Sequence, residues 1–111
     1  MKKASIPAAG QVKITGGFLK HYMDIMGDKA LSYQWKVLSG QLDANPTVRN
    51  FRIAAGEEAG EFAGVPYQDT DLAKWLDAVG CALGNRRDEN LEMIADEIIA
   101  TIEKAQDEDG Y

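Results

Sequence analysis

The chain has 111 residues, of which 45% are hydrophobic and 27% are charged, and its formal net charge is −6. This length suits about one domain, and the composition is that of an ordinary globular protein, which excludes a disordered or collagen-like chain. No apolar run approaches the ~18 residues of a membrane span and no basic stripe is available for phosphate contacts, so we expect neither a membrane nor a nucleic-acid partner.

The N-terminal third predicts an extended lead-in followed by a helical segment. Residues 1–17 contain one Pro and three Gly breakers, and the alternation of Val12 and Ile14 with polar residues would suit a short strand or edge segment. Apolar residues then recur at helical spacing over 18–39. Gly27 interrupts this pattern, and we expect a kink or a break in the helix there.

Residues 40–68 are predicted to be rich in loops. The turn formers Asp, Asn and Pro indicate a loop over 40–50, and the apolar stretch 51–55 is too short to assign. Three glycines spaced four residues apart follow, in a segment that we interpret as irregular. This segment also holds three carboxylates that we expect to lie in solvent: Glu57, Glu58 and Glu61.

The C-terminal third predicts two amphipathic helices, over 69–83 and 88–106, because apolar residues recur at i, i+3, i+4 and i+7 in both. The short connection between them makes an αα-hairpin, which extends over 69–106. An exposed acidic tail follows at 107–111. Six residues of the hairpin are expected to be buried: Trp75, Leu76, Val79, Ile94, Ile98 and Ile102.

Three polar residues at the start of the first hairpin helix form the candidate binding site: Gln68, Asp69 and Asp71. A helix start directs backbone N–H groups and carboxylates into a pocket, and sugars are bound by such groups with an aromatic ring nearby, here Tyr67 or Trp75. The alternative is structural, with Asp69 as the N-cap and Asp71 stabilised by the helix dipole. Because side chains two residues apart on a helix do not face each other, the two aspartates do not form an acid/base pair.

The single cysteine and the single histidine limit the nucleophilic and metal chemistry of the chain. Cys81 has no disulfide partner within the chain, and we expect a packed or half-packed structural thiol. His21 has no second histidine or cysteine near it in the sequence, so we expect a surface or half-buried side chain and no metal site. We therefore predict no catalytic residue, no metal ligand and no bound cofactor in this chain.

Several motifs, in order along the chain, resemble the N-terminal part of the β-L-arabinofuranosidase family, glycoside hydrolase family 127. The motifs with QDTDLAKW and AQ…DGY are the most specific of these, because both occur in order at the expected separation. The resemblance covers nearly all of the chain. The motifs are VKITGGF (12–18), YQW (33–35), NFRIAAG (50–56), GEFAGVPYQDTDLAKWLDAVGCAL (60–83) and AQDEDGY (105–111).

The resemblance implies a fold and a reaction. The catalytic domain of the family is an (α/α)6 barrel, and twelve helices with their loops need on the order of 190 residues. Residues 1–111 are therefore expected to be a single truncated, mainly all-α domain: helical hairpins with irregular loops, a partial segment of that barrel. The family cleaves β-L-arabinofuranosides with a zinc-tuned cysteine and a glutamate acid/base, which lie beyond the matching segment. Zinc is implied for the full-length family, but its ligands are absent here.

Two functions remain open from the sequence. The chain is either the N-terminal fragment of such a glycoside hydrolase, with a carbohydrate partner only in a full-length context, or a small stand-alone helical interaction or structural module without catalysis. In both cases uncovered apolar surface predicts self-association or a missing C-terminal part. The basic start has no apolar leader stretch after it, which predicts a cytoplasmic protein.

Overall fold

The computed structural model describes residues 4–111 and shows a chain of helices joined by loops. No β-strand forms between residues 4 and 111, which confirms the predicted all-α class. Most of the glycines and prolines lie outside the α-helices. The five α-helices are α1 (Gly17–Ile25), α2 (Leu31–Leu38), α3 (Thr47–Ala54), α4 (Thr70–Asn85) and α5 (Glu89–Ala105).

The segment before α1 is mostly extended, with one 3-10 turn at Ala9–Gln11 that lies against α4. The strand predicted at Val12 and Ile14 is wrong. Val12 has extended backbone angles, φ −118° and ψ 125°, but no strand among the described residues pairs with it, and a β-ladder needs such a partner. The first three residues of the predicted lead-in lie outside the described residues.

α1 and α2 form one continuous helix that widens into a π-helical turn at Met26–Ala30. In this turn the backbone N–H of Leu31 donates to the carbonyl oxygen of Met26, five residues back, where an α-helix would bond four residues back. The interruption predicted at Gly27 is therefore one inserted residue, and the helix continues through it without a break.

α3 occupies part of the segment for which the sequence predicted a loop. The side-chain oxygen of Asn45 accepts a hydrogen bond from the backbone N–H of Thr47 at 3.0 Å, which satisfies one of the free donors at the helix start. Thr47 and Val48 are both buried. The loop prediction for 40–50 is wrong from Thr47 onward, because the turn formers before it start a helix.

The predicted αα-hairpin is present, with α4 and α5 joined by three residues and packed against each other. α4 also packs against α2 and α3, and α3 packs against α5, so the core lies around α4. Of the residues predicted to be buried, Trp75, Val79 and Ile98 are buried, whereas Leu76, Ile94 and Ile102 are partly buried at the edge of the core. The buried hydrophobic residues are Leu31, Leu38, Val48, Leu72, Trp75, Val79, Leu91, Ala95 and Ile98.

Candidate functional site

The start of α4 is held against the start of α3 by the loop that carries Gln68. The hydroxyl of Thr47 lies 3.5 Å from the carbonyl oxygen of Gln68, and the Gln68 side chain accepts a hydrogen bond from the backbone N–H of Val65 at 3.3 Å. Asn50 on α3 makes two hydrogen bonds to the backbone of Ala63, at 2.8 and 3.1 Å. The loop is therefore fixed to α3 at two points, and the Gln68 carboxamide is used within it.

The two aspartates of the candidate site are exposed and are engaged within the first turn of α4. Asp69 is at the N-cap position, but its carboxylate accepts from the backbone N–H of the next residue, Thr70, at 2.9 Å, whereas an N-cap side chain usually accepts two or three residues on. Asp71 lies 3.2 Å from the ammonium of Lys74, one turn further along the helix. These contacts follow the structural alternative for the cluster, and a role of Gln68, Asp69 and Asp71 in sugar binding stays a prediction.

Only one of the two aromatic residues considered for a sugar platform is accessible. Trp75 is 3% exposed, its indole N–H donates to the carbonyl oxygen of Leu31 at 3.0 Å, and its ring packs on that of Trp35 with 4.9 Å between centroids. Tyr67 is 72% exposed beside Gln68. An aromatic contact to a ligand at this helix start would therefore come from Tyr67, and Trp75 belongs to the core.

The carboxylates after α3 are exposed, as expected, and two of them also form ion pairs with distant parts of the chain. Glu57 pairs with Lys104 on α5 at 2.6 Å and accepts from the hydroxyl of the buried Thr101 at 3.1 Å. Glu58 pairs with Arg49 at 2.6 Å. These long-range contacts hold the loop against α5 and α3. They could not be predicted from the spacing of residues in the sequence. Glu61 is exposed as well.

The hydrogen bond from Lys104 holds the pKa of Glu57 below its usual value of 4.5, although partial burial opposes this shift. A carboxylate whose pKa is lowered on folding stabilises the folded state above its unfolded pKa and loses that contribution as the pH falls through the folded pKa. The stabilising effect of this ion pair is therefore present at neutral pH and disappears in acid.

Replacing Glu57 by glutamine tests this contribution. Glu57→Gln is expected to lower the urea midpoint at pH 7, and the difference from the unsubstituted chain should close as the pH falls below 4.5. Glu61→Gln, in the same loop and exposed, is the matched control and should leave the midpoint unchanged. A Glu57→Gln deficit that stays constant between pH 7 and about pH 3 would contradict the assignment.

Cys81 is exposed on α4, which corrects the expectation of a packed or half-packed thiol. It lines a groove of about 800 Å³ between α1, the π-helical turn and α4. The apolar periodicity of α4 could not predict this exposure. The side of α4 that carries Cys81 faces α1, but α1 does not cover it. His21 lies on the surface, as expected, with its ring 5.6 Å from that of Tyr22 in an edge-on arrangement.

Among residues 4–111, no three side chains of histidine, cysteine, aspartate or glutamate come close enough together to hold a metal ion. The zinc site implied by the family resemblance therefore does not fit the residues that the structure describes. None of the helices in the described part of the chain is both long and apolar enough to cross a lipid bilayer.

Comparisons with known proteins agree on one family. Residues 11–111 match the catalytic domain of the β-L-arabinofuranosidases of glycoside hydrolase family 127. A non-reducing end β-L-arabinofuranosidase from Bifidobacterium longum subsp. longum is 32% identical over 115 aligned residues, which cover 90% of this chain and 18% of that protein. The crystal structure of a family 127 β-L-arabinofuranosidase from Geobacillus stearothermophilus T6 superposes with a TM-score of 0.84 at 43% identity, over 89% of this chain and 16% of that chain.

The chain thus spans less than a fifth of the relatives that it matches. The match in sequence runs through nearly all of the described residues, and the match in structure covers 89% of the chain. Because both the sequence of residues 11–111 and the fold match the same family, the chain belongs to the β-L-arabinofuranosidases of glycoside hydrolase family 127.

Proposed function

We propose that this chain is a non-catalytic helical segment of a β-L-arabinofuranosidase, which supports hydrolysis only together with the rest of the catalytic domain. The superposition on the Geobacillus enzyme carries the proposal: nearly all of this chain matches, yet it corresponds to only 16% of that enzyme. The polar groups at the start of α4 are engaged in capping and ion pairing. This is the behaviour expected of a segment whose role is to build a scaffold.

The chemistry of glycoside hydrolysis also indicates that the reacting groups lie outside this chain. Cleavage requires one group to protonate the leaving oxygen and a second, on the opposite face of the sugar, to act as nucleophile or base. Each carboxylate of the candidate site is used in local contacts, and the two are neighbours in one helix turn. In the proposed complete domain, Gln68, Asp69 and Asp71 contact or support the sugar, and the reacting groups come from other parts of the protein.

Activity and zinc content of the isolated chain test the proposal. The purified 111-residue chain is expected to bind no stoichiometric zinc and to release no product from an aryl β-L-arabinofuranoside, because a zinc site needs about four ligands that converge. A fusion of this chain to the remaining part of the catalytic domain of the Geobacillus enzyme is expected to hydrolyse that substrate. In this fusion Asp69→Ala should weaken sugar binding or stability without changing the reaction.

One outcome would overturn the proposal outright. Zinc-dependent hydrolysis by the isolated chain, abolished by Cys81→Ser, would make Cys81 the nucleophile. Cys81→Ala in the fusion serves as the matched control, and it should leave the turnover of the aryl substrate unchanged. The proposed place of action is the cytoplasm, which fractionation of the source cells would check.

A further inference from the structure

α1 is an amphipathic helix that the rest of the described chain leaves uncovered. Among residues 17–25, which form it, none is buried, and the π-helical turn that follows buries none either. Helices of this length are marginal in water unless an apolar face packs against something else. The exposed apolar side chains of α1 and the turn are Phe18, Leu19, Tyr22, Ile25 and Met26.

The groove beside α1 has the shape and the lining of a binding site for another helix. One wall comes from α1 and the π-helical turn, with Leu19, Tyr22 and Met26, and residues 13–15 of the extended segment before α1 also line the groove. The floor comes from α4, where small side chains, Ala78, Cys81 and Ala82, allow close approach of a helix backbone. Amphipathic helices are commonly bound in such apolar grooves.

Two ion pairs lie on the rim of the groove, which Lys13 and Asp88 also line. Lys20 lies 2.5 Å from Asp24 on α1, and Arg86 at the end of α4 pairs with Asp28 of the π-helical turn. Burying an unpaired charge is strongly unfavourable, whereas these pairs stay compensated when apolar surface covers the groove between them. The mostly apolar surface between these pairs therefore suits an apolar occupant.

The accessible surface of the chain is larger than a folded monomer of its size exposes. It is 8494 Å², whereas about 6,000 Å² is expected at 12.1 kDa. The radius of gyration is 16.8 Å, against about 13 Å for a compact domain of this length. Part of the excess of roughly 2,500 Å² comes from the extended residues before α1. The excess has the scale of the surface that permanent partners bury.

We infer that the groove between α1 and α4 is the docking site for an apolar helical segment from the remaining part of the catalytic domain. The inference rests on the proposed function, since the matched region is only 16% of the Geobacillus enzyme and the rest of such a chain supplies the occupant. Docking there would cover α1, bury Cys81 and leave the paired rim charges at the edge of the contact.

Cys81 reports occupancy of this groove directly. Its reaction with a maleimide is measured in the isolated chain and in the fusion to the Geobacillus remainder, and the labelled cysteine is identified by peptide mass spectrometry. We expect labelling of Cys81 in the fusion to be at least about tenfold slower, because a covered thiol reacts only through local opening. Labelling that is equally fast in the fusion and in the isolated chain overturns the inference.

Two matched substitutions locate the contact. Leu19 in the groove is 60% exposed and Met93 on α5, outside it, is 59% exposed. Leu19→Asp in the fusion should restore fast labelling of Cys81, and Met93→Asp should leave the protection unchanged. Protection that survives Leu19→Asp while the helical circular dichroism is intact would contradict docking in the groove.

Further outcomes separate this inference from the proposed function and from self-association. A fusion that hydrolyses the aryl substrate while Cys81 labels rapidly upholds the function and overturns the docking site. A fusion that protects Cys81 but does not hydrolyse the substrate upholds the docking site and overturns the proposed function. If labelling of the isolated chain slows as its concentration rises, a second copy fills the groove, and the assignment to the rest of the domain is overturned.

Discussion

Trp75→Ala is expected to destabilise the chain by about 3–5 kcal/mol, the usual cost of truncating a buried tryptophan. Three observations support a value in this range: the side chain is 3% exposed, its indole N–H is bonded to the backbone of α2, and its ring packs on Trp35. Domains typically have only 5–15 kcal/mol of total stability. Urea unfolding followed by far-ultraviolet circular dichroism measures the loss without relying on the fluorescence of the deleted indole.

Two control substitutions separate the contributions to this loss. Trp75→Phe keeps an aromatic ring in the core but removes the donor to Leu31, so it should cost clearly less than the alanine substitution. Tyr67→Ala removes an exposed ring and should change stability by no more than about 0.5 kcal/mol. A Trp75→Ala chain within about 1 kcal/mol of the unsubstituted one would show that α2 and α4 do not meet as described.

Gly64→Ala is expected to cost about 2–4 kcal/mol, which is large for the addition of one methyl group. Gly64 has φ +86°, a conformation that side chains other than glycine adopt at a cost of roughly 1–2 kcal/mol. A Cβ at this position would also overlap the Gln68 carboxamide oxygen and lie 2.9 Å from Cγ of Pro46. The Gln68 side chain would have to leave the loop and give up its hydrogen bond to Val65.

Gly56→Ala is the matched control for this effect. Gly56 has φ +71°, close to that of Gly64, but nothing lies within 4 Å of a Cβ built there. It should therefore lose only the roughly 1–2 kcal/mol of backbone strain. Equal urea midpoints for the two variants would indicate that the turn before α4 does not hold Gln68 against Gly64. In the fusion to the Geobacillus remainder, Gly64→Ala should also raise KM if Gln68 contacts the sugar.

The elements that could be predicted from the sequence are those whose apolar periodicity is long. α4 and α5 were predicted within two residues at each end, because four or more helical repeats of apolar residues and an N-cap mark each of them. α3 was missed because it has only eight residues and follows a run of turn formers. In the structure the Asn45 side chain, just before the N-cap residue Pro46, accepts from the first N–H of this helix, so a turn-like sequence was in fact a helix start.

The contacts that define the candidate site were less accessible to sequence reasoning. The N-cap role of Asp69 is local and was one of the two alternatives read from the sequence. The ion pair between Glu57 and Lys104 joins residues 47 positions apart, and it depends on how α3 packs on α5. The exposure of Cys81 depends on the path of α1, which periodicity within α4 cannot report. Long-range packing therefore sets the features that were missed.

The π-helical turn places the apolar positions of α1 and α2 on one side of a single helix. Met26 and Leu31 are five residues apart, and in a regular α-helix they would point about 140° away from each other. The extra residue in the π-helical turn brings the two side chains closer to the same side of the helix. Leu31 therefore belongs both to the core and to the lining of the groove. The groove is therefore an open end of the hydrophobic core, and whatever fills it extends that core. Occupancy and folding are then thermodynamically linked, and an occupant at a hundred times its dissociation constant would stabilise the folded chain by about 2.7 kcal/mol.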